Sequence, residues 1–404
     1  MTIATGTELM LGSTRDEDFV FMASRLAEKG CPIYRHYVVG DDLKSLKTVF
    51  SEALFHGDIV ILSGGLGPTT DDLTRAMASE VLNRSLKINH QVLQAIEEKF
   101  RLRHLELPEC SREQALILEG AEVIPNFVGT APGMYLKDQD KDIFFLPGPP
   151  YELKPMFDKN VLPKILSICQ TRMKSFTVKT FGVLESSVQT WMSELFKSEP
   201  AFLKSLGYTS SPEGVSVRVL EGEDRWKEIQ LLVEKLKKRL GPWTYGQDQE
   251  TLPRVVAKLL REEKKTLAIA ESCTGGLMAE RLTQIPGISE VFKLGVVTYS
   301  NDAKMNLIGV SKENLERWGA VSEAVVLEMA QGVREKGYTD LGLSITGVAG
   351  PDGGTSEKPV GLVWIGMSDG VKSFAQSYQF FGDRPTIQFK ASQAAFDLLR
   401  RSLA

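Results

Sequence analysis

The segment from Thr266 to Ala279 carries the first group that could do chemistry, the hydroxyl of Ser272. An apolar run that predicts a buried strand leads directly into Glu-Ser-Cys-Thr-Gly-Gly, and a helix is predicted next. A hydroxyl at that junction would lie over a helix N-terminus, where free N–H groups favour the negative charge of an oxyanion. Gly275 and Gly276 would let a substrate approach the backbone closely. The alternative, equally compatible with the segment, is that Ser272 or Thr274 only caps the helix.

A serine nucleophile needs a base, and none of the four histidines lies beyond His104. The remaining candidates are a carboxylate, Lys304, whose pKa burial would have to lower, and Tyr299, which could relay a proton or orient a substrate. Lys304 and Tyr299 follow the next predicted strand, so they are expected at the same sheet edge as Ser272. Taken singly, a lysine is more often a surface residue. Cys273 is a rival nucleophile, although a buried, inert thiol is the preferred interpretation.

Two further segments could bind an anion. The stretch from Ser344 to Thr355 follows a predicted strand, and the successive N–H groups of such a glycine-rich loop can hold a phosphate or carboxylate. Its candidate residues are Gly347, Gly350, Gly353, Gly354 and Thr355. A structural turn is the alternative, and the loop has neither a GxGxxG nor a Walker A pattern. Arg384 stands just before a predicted helix that begins at Pro385, where its fork of donors would suit a phosphate.

In the N-terminal part, a predicted strand at Asp58–Leu62 leads into a glycine-rich turn and two carboxylates, Asp71 and Asp72. The turn could hold a phosphate, and the carboxylates a divalent metal such as Mg²⁺, Mn²⁺ or Co²⁺. A helix capped near Asp72 is the alternative, and capping can coexist with metal binding. Two turn-rich loops at strand ends, Pro125–Gly133 and Leu146–Glu152, are expected to rim the same pocket. The candidate nucleotide-binding residues are Gly6, Glu8, Gly64, Gly65, Gly67, Thr69, Asn126 and Gly148.

The composition limits the class of protein. A chain of 404 residues with 42% hydrophobic and 25% charged residues is typical of a soluble globular protein with two or three domains. Its net charge of −4 argues against general, sequence-independent binding of nucleic acids. No apolar run approaches the ~18 residues of a membrane span. The four cysteines fit no zinc spacing. The N-terminus has no charged region or cleavage site of a signal peptide, which makes the cytoplasm the expected location.

The positions of these motifs follow from a coarse pattern of elements. Strand–helix alternation over residues 1–170 predicts a largely parallel sheet covered on both faces. Residues 171–250 predict a small α+β module that ends near Gly241-Pro242 and a polar stretch. Residues 251–404 alternate strands and helices again. The expected fold class is therefore α/β, with two three-layer α/β domains joined by a small α+β module.

The C-terminal motifs together resemble the nicotinamide mononucleotide deamidase domain of the CinA family. The family's runs stand here as AESCTGG, GVVTYSNDAK, GAVSEAV, SITGVAGPDGGT followed by EKPVG, and FFGDR. The resemblance implies hydrolysis of the nicotinamide amide to the acid and ammonia without a cofactor, with Ser272 attacking and Lys304 acting as base. The supporting positions would be Thr274, Tyr299, Thr346 and Arg384.

The N-terminal 170 residues resemble the molybdopterin-binding-like domain of the same family, which is associated with metal-dependent ADP-ribose pyrophosphatase activity. One segment departs from the family pattern, because Asp16-Glu17-Asp18 stands where Asn-Thr-Asn is usual. Carboxylates in place of amides would repel a phosphate unless a metal intervenes. The alternative is a domain that binds a nucleotide or pterin without turnover.

The middle module resembles the KH-like linking domain of this family. KH domains that hold RNA use a GxxG loop, and residues 171–250 contain none, so a spacer or dimer-forming role is expected. The expected partners are small-molecule nucleotides and a second copy of the chain in a homodimer. Neither a membrane nor direct nucleic-acid binding is expected. A role in competence or DNA damage, which the family name suggests, would have to act through a protein partner.

Overall fold

The computed structural model describes residues 1–169 and 172–403, so the predicted boundary between residues 170 and 171 lies outside the described residues. The chain forms two compact units. One comprises Met1–Ser175 with Glu221–Trp226, and the other comprises Phe176–Leu220 with Lys227–Ala404. Most of the predicted middle module therefore groups with the C-terminal part. The fold class is mixed α/β, as predicted. No helix in the described ranges is long and apolar enough to cross a membrane.

The first unit is built on a six-stranded sheet with the order β2-β1-β3-β8-β7-β6, and β4 and β5 pair separately. Its strands are β1 (Thr2–Thr5), β2 (His36–Val39), β3 (Ile59–Ser63), β4 (Leu86–Ile88), β5 (Leu116–Leu118), β6 (Glu122–Ile124), β7 (Gly133–Asp138) and β8 (Lys141–Leu146). Its helices are α1 (Thr7–Met10), α2 (Glu17–Glu28), α3 (Leu43–His56), α4 (Thr74–Leu82), α5 (His90–Leu102), α6 (Glu109–Arg112), α7 (Pro150–Met156) and α8 (Leu162–Ile168).

This sheet is parallel from β2 through β8 and antiparallel where β7 and β6 complete one edge. Alternate residues of β3 face opposite sides, as the pleat requires. Val60 and Leu62 pack into a cluster with α3 and α4, whereas Ile61 packs with α2, α7 and α8. Helices therefore cover both faces. Helix α7 begins at Pro150, inside a stretch predicted as a turn-rich loop, because proline fits the first helical position.

The middle module has a four-stranded sheet in the order β10-β11-β9-β12. Its strands are β9 (Met173–Thr180), β10 (Leu206–Ser211), β11 (Gly214–Gly222) and β12 (Thr244–Gln247), and its helices are α9 (Glu185–Leu195), α10 (Pro200–Lys204) and α11 (Trp226–Leu240). Strand β12 lies in the stretch that was predicted to be a boundary. Tyr245 of β12 is buried in the C-terminal core, which joins this module to the C-terminal sheet in one compact unit.

The C-terminal sheet has the order β14-β13-β15-β16-β17. Its strands are β13 (Leu267–Glu271), β14 (Phe292–Val297), β15 (Leu341–Gly347), β16 (Leu362–Ser368) and β17 (Ser373–Gln379). Its helices are α12 (Leu252–Glu262), α13 (Leu277–Thr283), α14 (Asn301–Ile308), α15 (Lys312–Trp318), α16 (Glu323–Gly337) and α17 (Arg384–Leu403). The sequence predicted neither α14 nor α15.

Strand β13 is the buried centre that positions the site. Leu267 and Ile269 face a core shared with α12 and α17, whereas Ala268 and Ala270 face one shared with α16. Strands β14, β13 and β15 are mutually parallel. Because carboxyl ends of parallel strands meet at one sheet edge, the residues that follow these three strands are brought together.

Candidate active site

Ser272 and Lys304 form a buried pair at this edge of the C-terminal sheet. Lys304 Nζ lies 3.1 Å from Ser272 Oγ and donates to the Thr298 carbonyl oxygen at 2.7 Å. Lys304 is 1% exposed and Ser272 is 8% exposed, so the alternative of a surface lysine is wrong. Burial lowers the pKa of Lys304 below its usual range. An amine of this kind can hold a lone pair toward the serine hydroxyl.

The ends of two neighbouring strands fix the lysine. The amide and hydroxyl of Thr298 both donate to the Glu271 carbonyl oxygen, at 2.7 Å and 3.3 Å, which ties the end of β14 to that of β13. Helix α14, which carries Lys304, is capped at its start by Ser300 Oγ, which accepts from the Ala303 amide. The lysine therefore extends from a capped helix toward the end of β13.

The backbone after Ser272 differs from the arrangement predicted for an oxyanion hole. The Glu271 carboxylate accepts from the amides of Gly276, Met278 and Ala279 at 3.1, 3.0 and 2.8 Å. The first amides of α13 are thus occupied by a buried carboxylate and are not free for a substrate. The prediction that this helix N-terminus itself holds the oxyanion is wrong.

Other amides of the same loop are free. Within the described ranges, the backbone N–H groups of Cys273 and Thr274 have no hydrogen-bond acceptor in another residue. Gly275 and Gly276 have φ angles of +64° and +102°, which L side chains rarely adopt. The space beside Gly275 is open. The two glycines therefore permit a turn that leaves free donors directly after the nucleophile.

Thr274 and Cys273 have buried side chains with different environments. Thr274 Oγ1 is buried and has no hydrogen-bond partner among the described residues, which is uncommon outside ligand sites. Burial raises the pKa of the Cys273 thiol to about 12. Gln388 Nε2 donates to the Cys273 carbonyl oxygen at 2.8 Å and holds this part of the loop. The expectation of a buried, inert cysteine agrees with these contacts.

The Glu271→Gln variant is expected to lower stability by about 1–3 kcal/mol, because a neutral amide replaces a buried charged acceptor of several backbone donors. The measurement is the urea unfolding midpoint of the full chain. Glu280→Gln, on the exposed side of α13, is the matched control and should leave the midpoint unchanged. Equal midpoints for Glu271→Gln and wild type would show that the carboxylate does not hold the loop.

Arg384 is the first residue of α17, not the residue before it. Its guanidinium donates to the Gly350 carbonyl oxygen at 2.6 Å and to the Tyr299 hydroxyl at 2.9 Å. Both acceptors are neutral, and no carboxylate in the described part of the chain pairs with Arg384. Tyr299 is 62% exposed, and it contacts Arg384 instead of the nucleophile. The arginine is therefore oriented while its charge stays available for an anion.

Only part of the predicted anion-binding loop contacts Arg384. The Thr346 hydroxyl donates to the Ala320 carbonyl oxygen at 2.9 Å, so this hydrogen bond stabilises the fold. Gly347 ends β15, and Gly350 touches Arg384. Gly353, Gly354 and Thr355 lie in an exposed turn that the Thr355 hydroxyl closes by accepting from the Lys358 amide at 3.0 Å. Anion binding by this turn stays a prediction.

The predicted N-terminal candidates largely share one cavity of about 530 Å³. Among its lining residues are Gly6, Glu8, Gly64, Gly65, Gly67, Asp71, Asp72 and Gly148. Thr69 and Asn126 are not in the lining. The Asn126 amide donates to the Ala131 carbonyl oxygen and to Glu152 Oε2 and accepts from the Val128 and Gly129 amides. Because all its hydrogen-bonding positions are filled, Asn126 organises a loop.

The predicted metal ligands, Asp71 and Asp72, have different surroundings in the structure. Asp72 accepts from the amides of Gly67 and Thr69, each at 2.8 Å, so it holds the glycine-rich turn closed. These are also two of the amides predicted to bind phosphate. Asp71 is exposed at the surface. The described ranges contain no group of three or more His, Cys, Asp or Glu side chains arranged to hold a metal. Asp71 and Asp72 are therefore not part of a preformed metal cage.

Comparison with known proteins covers the whole chain. Three family models match: the CinA C-terminal domain at residues 249–403, the probable molybdopterin binding domain at 1–167 and the damage-inducible protein CinA KH domain at 175–246. A CinA-like protein of Dictyoglomus thermophilum is 40% identical over 403 residues, covering 99% of this chain and 98% of that protein. A CinA-like protein of Syntrophomonas wolfei is 41% identical over 407 residues, with the same coverage.

The chain belongs to the CinA family. A crystal structure of competence/damage inducible protein CihA from Agrobacterium tumefaciens is 36% identical and covers 38% of this chain and 93% of that one, with a TM-score of 0.37.

The acidic segment Asp16–Asp18 of this CinA chain lines the N-terminal cavity. Asp16 caps α2 by accepting from the Phe19 amide at 2.8 Å, and its other oxygen lies 3.0 Å from His36 Nε2. Asp18 is 7% exposed and its Oδ1 has no hydrogen-bond partner among the described residues. Burial and then the neighbouring Asp16 raise the pKa of Asp18 to about 7. The two carboxylates thus differ, since only Asp16 is paired.

The sequence reasoning missed four site residues of this CinA chain. They are Glu271, Thr298 and Gln388 at the C-terminal site and Gln114 in the N-terminal cavity. A signal existed for the first two, because each is a polar residue where an apolar strand ends. Gln388 lies far along the chain from the loop that it holds, and Gln114 follows a helix of four residues, so neither has a local signal.

Proposed function

We propose that the C-terminal domain hydrolyses the carboxamide of nicotinamide mononucleotide to the acid and ammonia. The observation that carries the proposal is the buried Ser272–Lys304 pair, with 3.1 Å between Oγ and Nζ. A serine beside an amine of lowered pKa is one way to activate a hydroxyl without histidine. Membership of the CinA family supports the proposal.

The pair can carry every proton of the reaction. Neutral Lys304 takes the Ser272 proton as Oγ forms a bond to the carboxamide carbon. It then returns this proton to the departing nitrogen as the C–N bond breaks, which releases ammonia and leaves an ester on Ser272. Water attacks the ester with Lys304 again accepting the proton, and Lys304 returns it to Ser272 Oγ as the ester C–O bond breaks and the acid leaves.

The negative charge of the tetrahedral intermediate needs donors. The free amides of Cys273 and Thr274 follow the nucleophile directly, as do donors in other serine hydrolases. The unpartnered Thr274 hydroxyl is also available to the substrate. The loop that Glu271 and Gln388 hold therefore supplies the donors that the start of α13 does not.

The phosphate of the mononucleotide would bind Arg384, whose neutral partners, Gly350 and Tyr299, leave its charge uncompensated. For Arg384→Gln we expect KM for the mononucleotide to rise about 10–100-fold, the equivalent of one charged hydrogen bond. A smaller change is expected in kcat. The measurement is steady-state ammonia release from nicotinamide mononucleotide and from nicotinamide riboside, which lacks the phosphate. Equal losses with both substrates would show that Arg384 does not recognise the phosphate.

Ammonia release from nicotinamide mononucleotide by the purified full chain tests the function itself. The expected products are ammonia and nicotinic acid mononucleotide in equal amounts, with slower turnover of nicotinamide riboside. Product identity is checked by mass spectrometry. The absence of turnover with the mononucleotide would exclude the proposal, whatever the protein binds.

We also infer a second candidate function, nucleotide binding with hydrolysis of ADP-ribose in the N-terminal cavity. The favouring observation is a cavity of about 530 Å³ that collects most of the residues predicted for a nucleotide. Incubation of the full chain with ADP-ribose should yield AMP and ribose 5-phosphate in the presence of a divalent metal. Binding without these products would favour a domain that recognises nucleotides or pterins without turnover.

A further inference from the structure

Two buried oxygens in the N-terminal cavity lack a hydrogen-bond donor. Asp18 is 7% exposed and Gln114 is 3% exposed, and both line the cavity. Within the described ranges, Asp18 Oδ1 and Gln114 Oε1 have no hydrogen-bond partner. Unpaired buried acceptors are uncommon, because each loses its interactions with water. Two unpaired acceptors in one cavity indicate a ligand that donates hydrogen bonds to these oxygens or is coordinated by them.

The charge of the cavity indicates the kind of ligand. Arg15 is the one basic side chain among its described lining residues, against carboxylates that include Glu8, Glu17 and Asp41. A phosphate entering alone would meet repulsion from these groups. The ligand must therefore bring positive charge with it.

Asp18 differs from the other carboxylates of the cavity. Asp16 pairs with His36 and the Phe19 amide, Asp41 accepts from the Thr7 amide at 2.8 Å, and Asp72 holds the glycine-rich turn. Glu152 accepts from Asn126 Nδ2 at 2.6 Å. Asp18 instead presents a buried oxygen that has no donor in the described part of the chain, so a cation can reach it without breaking an existing hydrogen bond.

We propose that Asp18 binds a divalent cation of the Mg²⁺ and Mn²⁺ class, which enters the cavity together with a phosphate-bearing ligand. Carboxylate and amide oxygens are the ligands that these ions prefer. Such ions commonly take one or two protein carboxylates and complete their coordination with water and phosphate oxygens. This agrees with the lack of a preformed cage of three or more ligands in the described residues.

The proposal moves the metal from Asp71 and Asp72, the ligands predicted from the sequence, to Asp18 in the acidic segment Asp16–Asp18. This proposal deepens the second candidate function and rests on that nucleotide site. It does not depend on the deamidase proposal. The two can fail separately, because cation binding is measured without any substrate.

The test is a titration of the full chain with Mn²⁺ after bound metals have been removed with a chelator. Binding is measured as the loss of the EPR signal of free Mn²⁺. We expect a saturable site whose Kd rises about ten-fold or more in Asp18→Asn, since even outer-shell changes at metal sites cost about 10–100-fold. Asp140→Asn removes the same charge from an exposed position outside the cavity lining and is the matched control, expected to keep the wild-type Kd. Asparagine is nearly isosteric with aspartate, and a thermal melt without metal checks that the variant folds.

A second measurement concerns the phosphate-bearing ligand. ADP is expected to bind the wild-type chain more tightly with Mn²⁺ than without it, and this gain should be lost in Asp18→Asn. An unchanged Mn²⁺ Kd in a folded Asp18→Asn, or equal losses in Asp18→Asn and Asp140→Asn, would overturn the proposal. If Mn²⁺ binding depended on Asp18 but the Kd for ADP were the same with and without Mn²⁺, the claim that the cation enters together with a phosphate-bearing ligand would be overturned.

Discussion

Replacing Ser272 with alanine is expected to reduce ammonia release from nicotinamide mononucleotide by about 10⁴-fold or more, the range seen when a serine nucleophile is removed. The reason is that covalent attack needs Ser272 Oγ, which lies 3.1 Å from Lys304 Nζ. Binding of the mononucleotide should survive, because Arg384 and the loop amides remain. Ammonia release and equilibrium binding measured on the same preparation separate the two effects.

The matched control for this variant is Cys273→Ala. Burial raises the pKa of the Cys273 thiol to about 12, so almost no thiolate exists at neutral pH and turnover should change little. If Ser272→Ala kept its activity and Cys273→Ala lost it, the nucleophile would be the thiol. If both variants stayed active, water would be attacking directly.

Lys304→Met is expected to lower kcat by about 10²–10⁴-fold, the usual contribution of a general base. Methionine fills much of the same buried volume but cannot accept the serine proton or donate to the Thr298 carbonyl oxygen. Stability is expected to fall slightly, since that carbonyl loses its partner. Steady-state kinetics with a thermal melt of the same sample give both quantities.

The pH dependence of the wild type follows from the same group. Burial lowers the pKa of Lys304, and only the neutral amine can take a proton. Activity is therefore expected to rise with pH through this lowered pKa, which lies below the ~10.4 of a free lysine, and to reach a plateau above it. Lys312→Met, at an exposed position of α15, is the control and should keep the wild-type profile. A wild-type rate that fell with rising pH over this range would contradict a lysine base.

Much of the fold could be predicted because strand and helix periodicity is local. The all-apolar run of β13 and the strand–helix alternation predict parallel sheets with helices on both faces, and the structure has them for most strands. Helix α14 was missed although Ser300 and Gly309 carry ordinary cap signals, because the segment is short and weakly amphipathic. The sequence predicts a loop at Pro150, whereas in the structure this residue starts α7.

A family resemblance implied the pairing of Ser272 with Lys304, and the sequence by itself predicted that both follow the ends of strands at one sheet edge. It could not determine the hydrogen-bond partners of those ends. Only the tertiary structure decided that Glu271 occupies the start of α13, that Asp72 closes its own turn, and that Asp18 Oδ1 has no donor among the described residues. The physical reason is that strand ends are set by local patterns of apolar residues, whereas the state of a buried polar group depends on neighbours that are distant in the chain.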